Sequence, residues 1–257
     1  MNTASERGCK KMRWVLGYVA ALCVLVLVIS QSVIIPTFFM PFFRWHYTRA
    51  DAQTGLDIAE TIGISHEDLT HVTTELLRYM RGRRDSLEGI TAVVAGRNEV
   101  ASRVYGQNFF SETEIRHMVD VRRLYEQLFA ARNVAFFLLI ALVLGMLLIQ
   151  DNPLFLLARC SREILAGFLA VMVVLAGVIA IDFGRSWDIF HYIFFRGDAA
   201  NYWRLMPFED LMINMYPLHF FLHISIFVAV LVVIMSAIII AAASFYLQYH
   251  RRLPGFN

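Results

Sequence analysis

Four apolar stretches in a chain of 257 residues limit what it can fold into. Residues 14–35 run for 22 positions without a charge, 134–149 for 16, 164–181 for 18 and 220–247 for 28. A bilayer core about 30 Å thick is crossed by roughly 20 apolar residues in a helix. The second stretch is short, but the pattern before it lets its helix begin near Leu128, and the fourth is long enough to tilt or to project from the hydrocarbon. Composition agrees: 58% of residues are hydrophobic and 17% charged, against about 25% charged in ordinary soluble domains. The expectation is an α-helical polytopic membrane protein with four transmembrane helices. A formal net charge of +2 with interspersed signs offers no basic face, so no nucleic-acid partner is expected.

Flanking charge sets an expected direction. Arg7, Lys10, Lys11 and Arg13 precede the first span, Arg159 and Arg162 lie between the second and third, and Arg251 and Arg252 follow the fourth. Positive residues in short flanks stay cytoplasmic. The expected layout is a cytoplasmic 1–13, span 14–35, an extracellular cap 36–133, span 134–149, a cytoplasmic loop 150–163, span 164–181, an extracellular aromatic loop 182–219, span 220–247 and a cytoplasmic tail 248–257. The apolar run at the start exceeds a usual signal h-region and has no clear small-residue cleavage site, which reads as a retained anchor. Cys9 and Cys160 fall on the cytoplasmic side and Cys23 inside a span, so no disulfide braces the cap.

Within the cap, residues 36–45 are too broken by Pro36 and Pro41 for a buried helix and too aromatic for a free loop, which predicts a segment lying at the headgroups. Ser65-His-Glu-Asp68 opens an amphipathic helix through Met80 that Gly82 can end. Residues 90–94 and 101–105 suggest a hairpin. Ser111-Glu-Thr-Glu114 opens another helix, with no breaker before the second span, so it is expected to continue into the membrane.

His66 and His71 resemble the HExxH zinc signature, but a spacing of five turns them about 140° apart on a helix. No metal or cofactor is expected. His46, His219, His223 and His250 read as interfacial or packing residues. His117 has Asp120 three residues on, close enough to orient an imidazole, though a surface His beside an ion-paired Asp has the same pattern. His191 lies among aromatics after the third span, and an interfacial belt or half of an acid–base site would both look so.

The stretch Phe110-Ser-Glu-Thr-Glu-Ile-Arg-His117-Met-Val-Asp120-Val121 resembles the HM-x-DV motif of the bacterial lipoprotein intramolecular transacylase family. Asp182-Phe-Gly, Phe190-His191-x-x-Phe194-Phe195, Trp203, Asp210-x-x-Ile213 and Pro217-x-x-Phe220-Phe221 are similar to that family's second motif. The resemblance implies a four-span enzyme of the bacterial cell membrane acting on diacylglyceryl-modified lipoproteins. It would move the sn-2 acyl chain to the amine of the substrate's own N-terminal cysteine, leaving an N-acylated lyso form. His117 and His191 occupy the two catalytic positions. Asp120 and Asp182 would support or orient them, and Phe190, Phe194, Phe195, Trp203, Phe220 and Phe221 would form an aromatic pocket for the substrate. Membrane lipid is the other expected partner. A non-catalytic module whose cap binds an envelope protein or lipid, and a lipid-ester hydrolase, are the alternatives.

Overall fold

Apolar continuity sets the longest elements. The computed structural model describes residues 3–49, 55–92, 108–149, 152–195, 205 and 210–252. Among them are nine helices: α1 Thr3–Thr37, α2 Met40–Tyr47, α3 Ile58–Ile62, α4 His66–Met80, α5 Glu112–Ile149, α6 Pro153–Ile181, α7 Phe183–Phe194, α8 Leu211–Met215 and α9 Leu218–Arg251. Four of these, α1, α5, α6 and α9, are long and apolar enough to cross a membrane. The chain divides into two compact units.

The first unit comprises residues 1–34, 128–181 and 227–257. Its core is Ala20, Ala21, Met146, Leu156 and Cys160, flanked by Trp14, Leu139 and Leu157. Small residues let α1 approach α6 closely: a Cβ built on Gly17 would lie 2.8 Å from Leu156 Cγ and 3.0 Å from Cys160 Sγ. Polar groups gather where the helices end. Arg13 donates to the Ile149 carbonyl at 2.9 Å, Tyr18 to Glu163 at 2.8 Å, and the Asn152 side chain accepts from Phe155 N and Tyr246 Oη. Elsewhere large apolar side chains face outward, Leu148 at 88% and Ile181 at 85% exposure. Water would penalise that surface, whereas lipid does not.

The second unit comprises residues 35–127 and 182–226. Helix α4 begins where Ser65 caps the amide of Asp68 and stops before Gly82, whose φ of +70° suits glycine. Its buried Leu69, Val72, Leu76 and Leu77 match the expected amphipathic face. Thr73 on that helix shares a buried hydroxyl cluster with Tyr47 and Tyr216, and its hydroxyl donates to the Leu69 carbonyl at 2.8 Å. Arg84 bonds Glu75 at 2.8 Å and the carbonyls of Ser86 and Glu88 at 2.6 and 2.9 Å, holding the turn after α4.

The structure differs from the sequence expectation in three places. Residues 36–37 end α1 and residues 40–45 are helical in α2, because Pro41 falls in the first turn of α2, where a missing N–H costs nothing. Helix α2 buries Phe42, Phe43, His46 and Tyr47. The 150–163 connection is helical from Pro153, capped by Asn152. The 182–219 segment contains α7 and α8 in place of an aromatic loop. The suggested hairpin strands lie almost wholly outside the described residues, apart from Ile90, Thr91 and Ala92.

As expected, α5 has no break. At 1.5 Å per residue its 38 residues extend about 57 Å, well beyond a bilayer core. Its first four turns carry Glu112, Glu114, Arg116, His117, Asp120, Arg122, Arg123 and Glu126. Those turns precede the uncharged stretch 134–149 and belong to the second unit.

Candidate active site

His117 is fixed by the start of α5. The Ser111 hydroxyl accepts from Glu114 N at 3.2 Å, and the Glu114 carboxylate accepts from Ser111 N at 2.6 Å, which completes the capping box read from the sequence. One turn later His117 projects toward α7. That helix starts at Asp182, whose carboxylate accepts from Arg185 N at 2.9 Å. Asp182 thus caps the helix that carries His191.

The two imidazoles meet within the second unit. Their ring centroids are 6.4 Å apart with planes 28° from parallel. Phe195 packs 5.4 Å from each. His191 is buried, and its Nδ1–H donates to the Trp187 carbonyl at 2.9 Å. A carbonyl only accepts, so the proton is on Nδ1 and the lone pair of the neutral ring is on Nε2. Burial, reinforced by neighbouring His191, lowers the His117 pKa to about 4. Burial also lowers that of His191, while the Trp187 carbonyl and Asp188 pull it back up. Both rings are therefore neutral near pH 7.

The other expected residues are distributed unevenly. No hydrogen bond or ion pair joins Asp120 to His117 among the described residues, so its i+3 spacing yields no bonded dyad. Phe190 stacks on Trp187 at 5.4 Å and lies 4.7 Å from Phe194, and these two rings form an exposed aromatic edge. Phe221 stacks on Trp187 at 4.3 Å. Phe220 packs deeper, against Phe42, Phe43 and Tyr216. Trp203 lies outside the described residues.

One residue of this neighbourhood, Trp187, was not singled out from the sequence. Trp187 sits one helical turn before His191, touches its ring edge-on at 4.6 Å and supplies the carbonyl that fixes the tautomer. Its i−4 spacing was the available signal. Glu114 and Asp210, read from the sequence as a capping-box and a motif residue, lie buried beside the start of α8.

The remaining histidines are elsewhere. His66 pairs with Asp57 at 2.9 Å, at the cap of α3. His46 is buried at 1% exposure, its ring 5.0 Å from His219 and 4.8 Å from Phe220. Neither of its ring nitrogens has a hydrogen-bond partner among the described residues, and burial, with His219, His223 and Arg49 acting in the same direction, lowers its pKa to about 3. Among the described residues no group of three or more His, Cys, Asp or Glu is placed to hold a metal ion.

The family described as lipoprotein intramolecular transacylase Lit matches residues 18–221, about four-fifths of the sequence. The chain belongs to the Lit family. It is a membrane-bound acyltransferase of the intramolecular transacylase type. No curated protein matches it. Solved in meso structures of the membrane-integral Lit from Bacillus cereus share its fold. One superposes with a TM-score of 0.69 at 15% identity, covering 95% of this chain and 100% of that one. A histidine-to-arginine variant gives 0.68 at 14% identity over 98% and 99%. A histidine-to-alanine variant gives 0.67 at 14% over 98% and 100%. Within the Lit family this chain is thus a multi-pass helical membrane protein, and the paired histidines lie inside the matched range.

Proposed function

We propose that this chain moves the sn-2 acyl chain of a diacylglyceryl-modified lipoprotein to the amine of that lipoprotein's N-terminal cysteine, using His117 and His191 as the proton-handling pair. The observation that carries this reading is the approach of two neutral imidazoles at 6.4 Å, lined by Phe195. The amine nitrogen attacks the ester carbonyl carbon, the carbon–oxygen bond to the glyceryl sn-2 position breaks, and the amine's proton ends on that oxygen. The hydrogen bond to the Trp187 carbonyl favours an imidazolium on His191, so His191 accepts the amine's proton on Nε2; that proton passes by way of His117 to the leaving oxygen, and both rings end neutral. The second unit holds no cysteine, so the transfer is direct, without an acyl-thioester. Holding nucleophile and ester together can supply several kcal/mol of the barrier, and the Phe190–Phe194 edge suits the acyl chains.

In this reading both termini are cytoplasmic and the second unit faces outward, as the flanking Lys and Arg indicate. Asp182 supports His191 through α7, and Asp120 is a solvated neighbour of His117. The test is mass spectrometry of a lipoprotein's N-terminal peptide, made with and without this protein in a host lacking other N-acylation. An N-acylated lyso peptide supports the proposal. A lyso peptide with a free amine would establish a hydrolase instead, and an unchanged diacyl peptide a non-catalytic module.

A further inference from the structure

The carboxylate of Glu114 serves two helix starts at once. Its Oε2 accepts from Ser111 N at 2.6 Å, closing the cap of α5, and its Oε1 accepts from Met212 N at 2.5 Å, in the first turn of α8. The Ser111 hydroxyl in turn donates to Asp210 at 2.8 Å. Helix starts leave N–H groups unpaired, and carboxylates satisfy them with charge-assisted bonds. Capping α5 alone needs no burial: Asp57 and Glu60 build a capping box on α3 with both groups hydrogen-bonded at an exposed site. Glu114 is instead fully buried, and Asp210 nearly so. What burial adds is the bond to the second helix.

That bond joins α5, which carries His117, to α8, which the chain and ring contacts link to α7 and His191. Glu114 lies three residues before His117. From Met212 the chain passes Tyr216 and Pro217 into α9, where Phe221 stacks on Trp187, and the Trp187 carbonyl holds His191. The rings of His117, Phe195 and His191 close the circuit through contacts that have no directional bond.

We propose that Glu114 is a positioning residue for the acyl transfer, setting the separation of His117 and His191 by bonding two helix starts; the inference rests on the two-histidine reading above. Asp210 is the charged group facing it. Burial raises the Glu114 pKa to about 7, Asp210 acts in the same direction, and the bonds from Met212 and Ser111 oppose them. The ionised form accepts both N–H bonds best, so the clamp tightens as pH rises through about 7.

The test uses the intact protein in bilayers with a diacylglyceryl lipopeptide. Glu114→Gln keeps the shape but turns an amide NH2 toward one of the N–H donors. Its kcat should fall by about 10–10²-fold, the scale of a 1 Å misplacement, with KM unchanged. The wild-type kcat should also show a step near pH 7 that the variant lacks, while the substrate-amine step remains in both. A variant with wild-type kcat, a loss confined to KM, or an unchanged pH profile overturns the proposal. If Glu114→Gln fails to fold, Ser111→Ala gives the second measurement: lowered kcat at constant KM supports the proposal, and a lowered Tm with normal kcat overturns it. His117→Ala in the same assay separates the two claims. If that variant is active, the two-histidine reading fails and takes this one with it; if it is inactive while Glu114→Gln behaves as wild type, only the positioning role fails.

Discussion

The Nδ1–H of His191 donates to the backbone carbonyl of Trp187, one helical turn earlier, at 2.9 Å. Because the acceptor belongs to the main chain, side-chain substitution at 187 leaves the bond available while α7 persists. The neutral tautomer with its lone pair on Nε2 is thereby built into the helix. Among the described residues no such bond reaches His117, and this asymmetry underlies the distinct roles proposed for the two rings.

Removal of either ring should stop most of the chemistry. His117→Ala and His191→Ala are each expected to lower transacylation by about 10²–10⁴-fold, the usual loss for a general acid or base. The double variant should lose far less than the product of the two, since groups acting as a unit are non-additive. Initial rates on a diacylglyceryl lipopeptide measure this, and multiplicative losses would show that the rings act independently.

Acid should destabilise the fold through His46. Its pKa is depressed to about 3 in the folded state by burial, against about 6.5 when unfolded. The unfolded chain therefore binds the proton first, so stability is full above about pH 6.5 and falls as pH drops toward 3. His46→Phe, which keeps a ring beside Phe220, should raise Tm at pH 5 more than at pH 8. An equal shift at both values would indicate a packing effect alone.

Zinc chemistry at His66 and His71 is not expected. His66 is engaged with Asp57 on the surface, and a five-residue spacing turns His71 away from it. Either alanine variant should retain most activity, as should the enzyme after chelator treatment. Loss of turnover on chelation, restored by added zinc, would require a different mechanism.

The close approach at Gly17 should tolerate no side chain. Gly17→Ala places a methyl 2.8 Å from Leu156 Cγ, and overpacking of this kind costs about 1–3 kcal/mol. Gly145→Ala, where no atom lies within 4 Å, should be neutral or slightly stabilising. Thermal melts of the two variants in detergent provide the comparison, and equal Tm values would remove the steric account.

The proposed topology places Ser86 outside the cell. A Ser86→Cys variant should react with a membrane-impermeant thiol reagent in intact cells. Labelling only after lysis would invert the topology and put the histidine pair on the cytoplasmic face.

The sequence by itself determined the four spanning helices, because an uncharged run of bilayer length has one low-energy outcome: a helix that satisfies its own backbone in lipid. It also determined the starts of α4 and α5 and the continuity of α5, since caps and breakers act over three or four residues. The motifs around His117 and His191 were legible as separate marks 74 positions apart. Tertiary structure alone brought them within 6.4 Å and placed Phe195 against both. It also decided that Pro41 starts a buried helix instead of breaking one, because the position of a proline within a helix, not its presence, sets the cost. Asp120, the expected partner of His117, makes no bond to it among the described residues, whereas Glu114 became a buried bridge to Met212, 98 residues away. A local pattern cannot specify which distant amide a carboxylate will satisfy; that follows from which helix start the folded chain delivers to it.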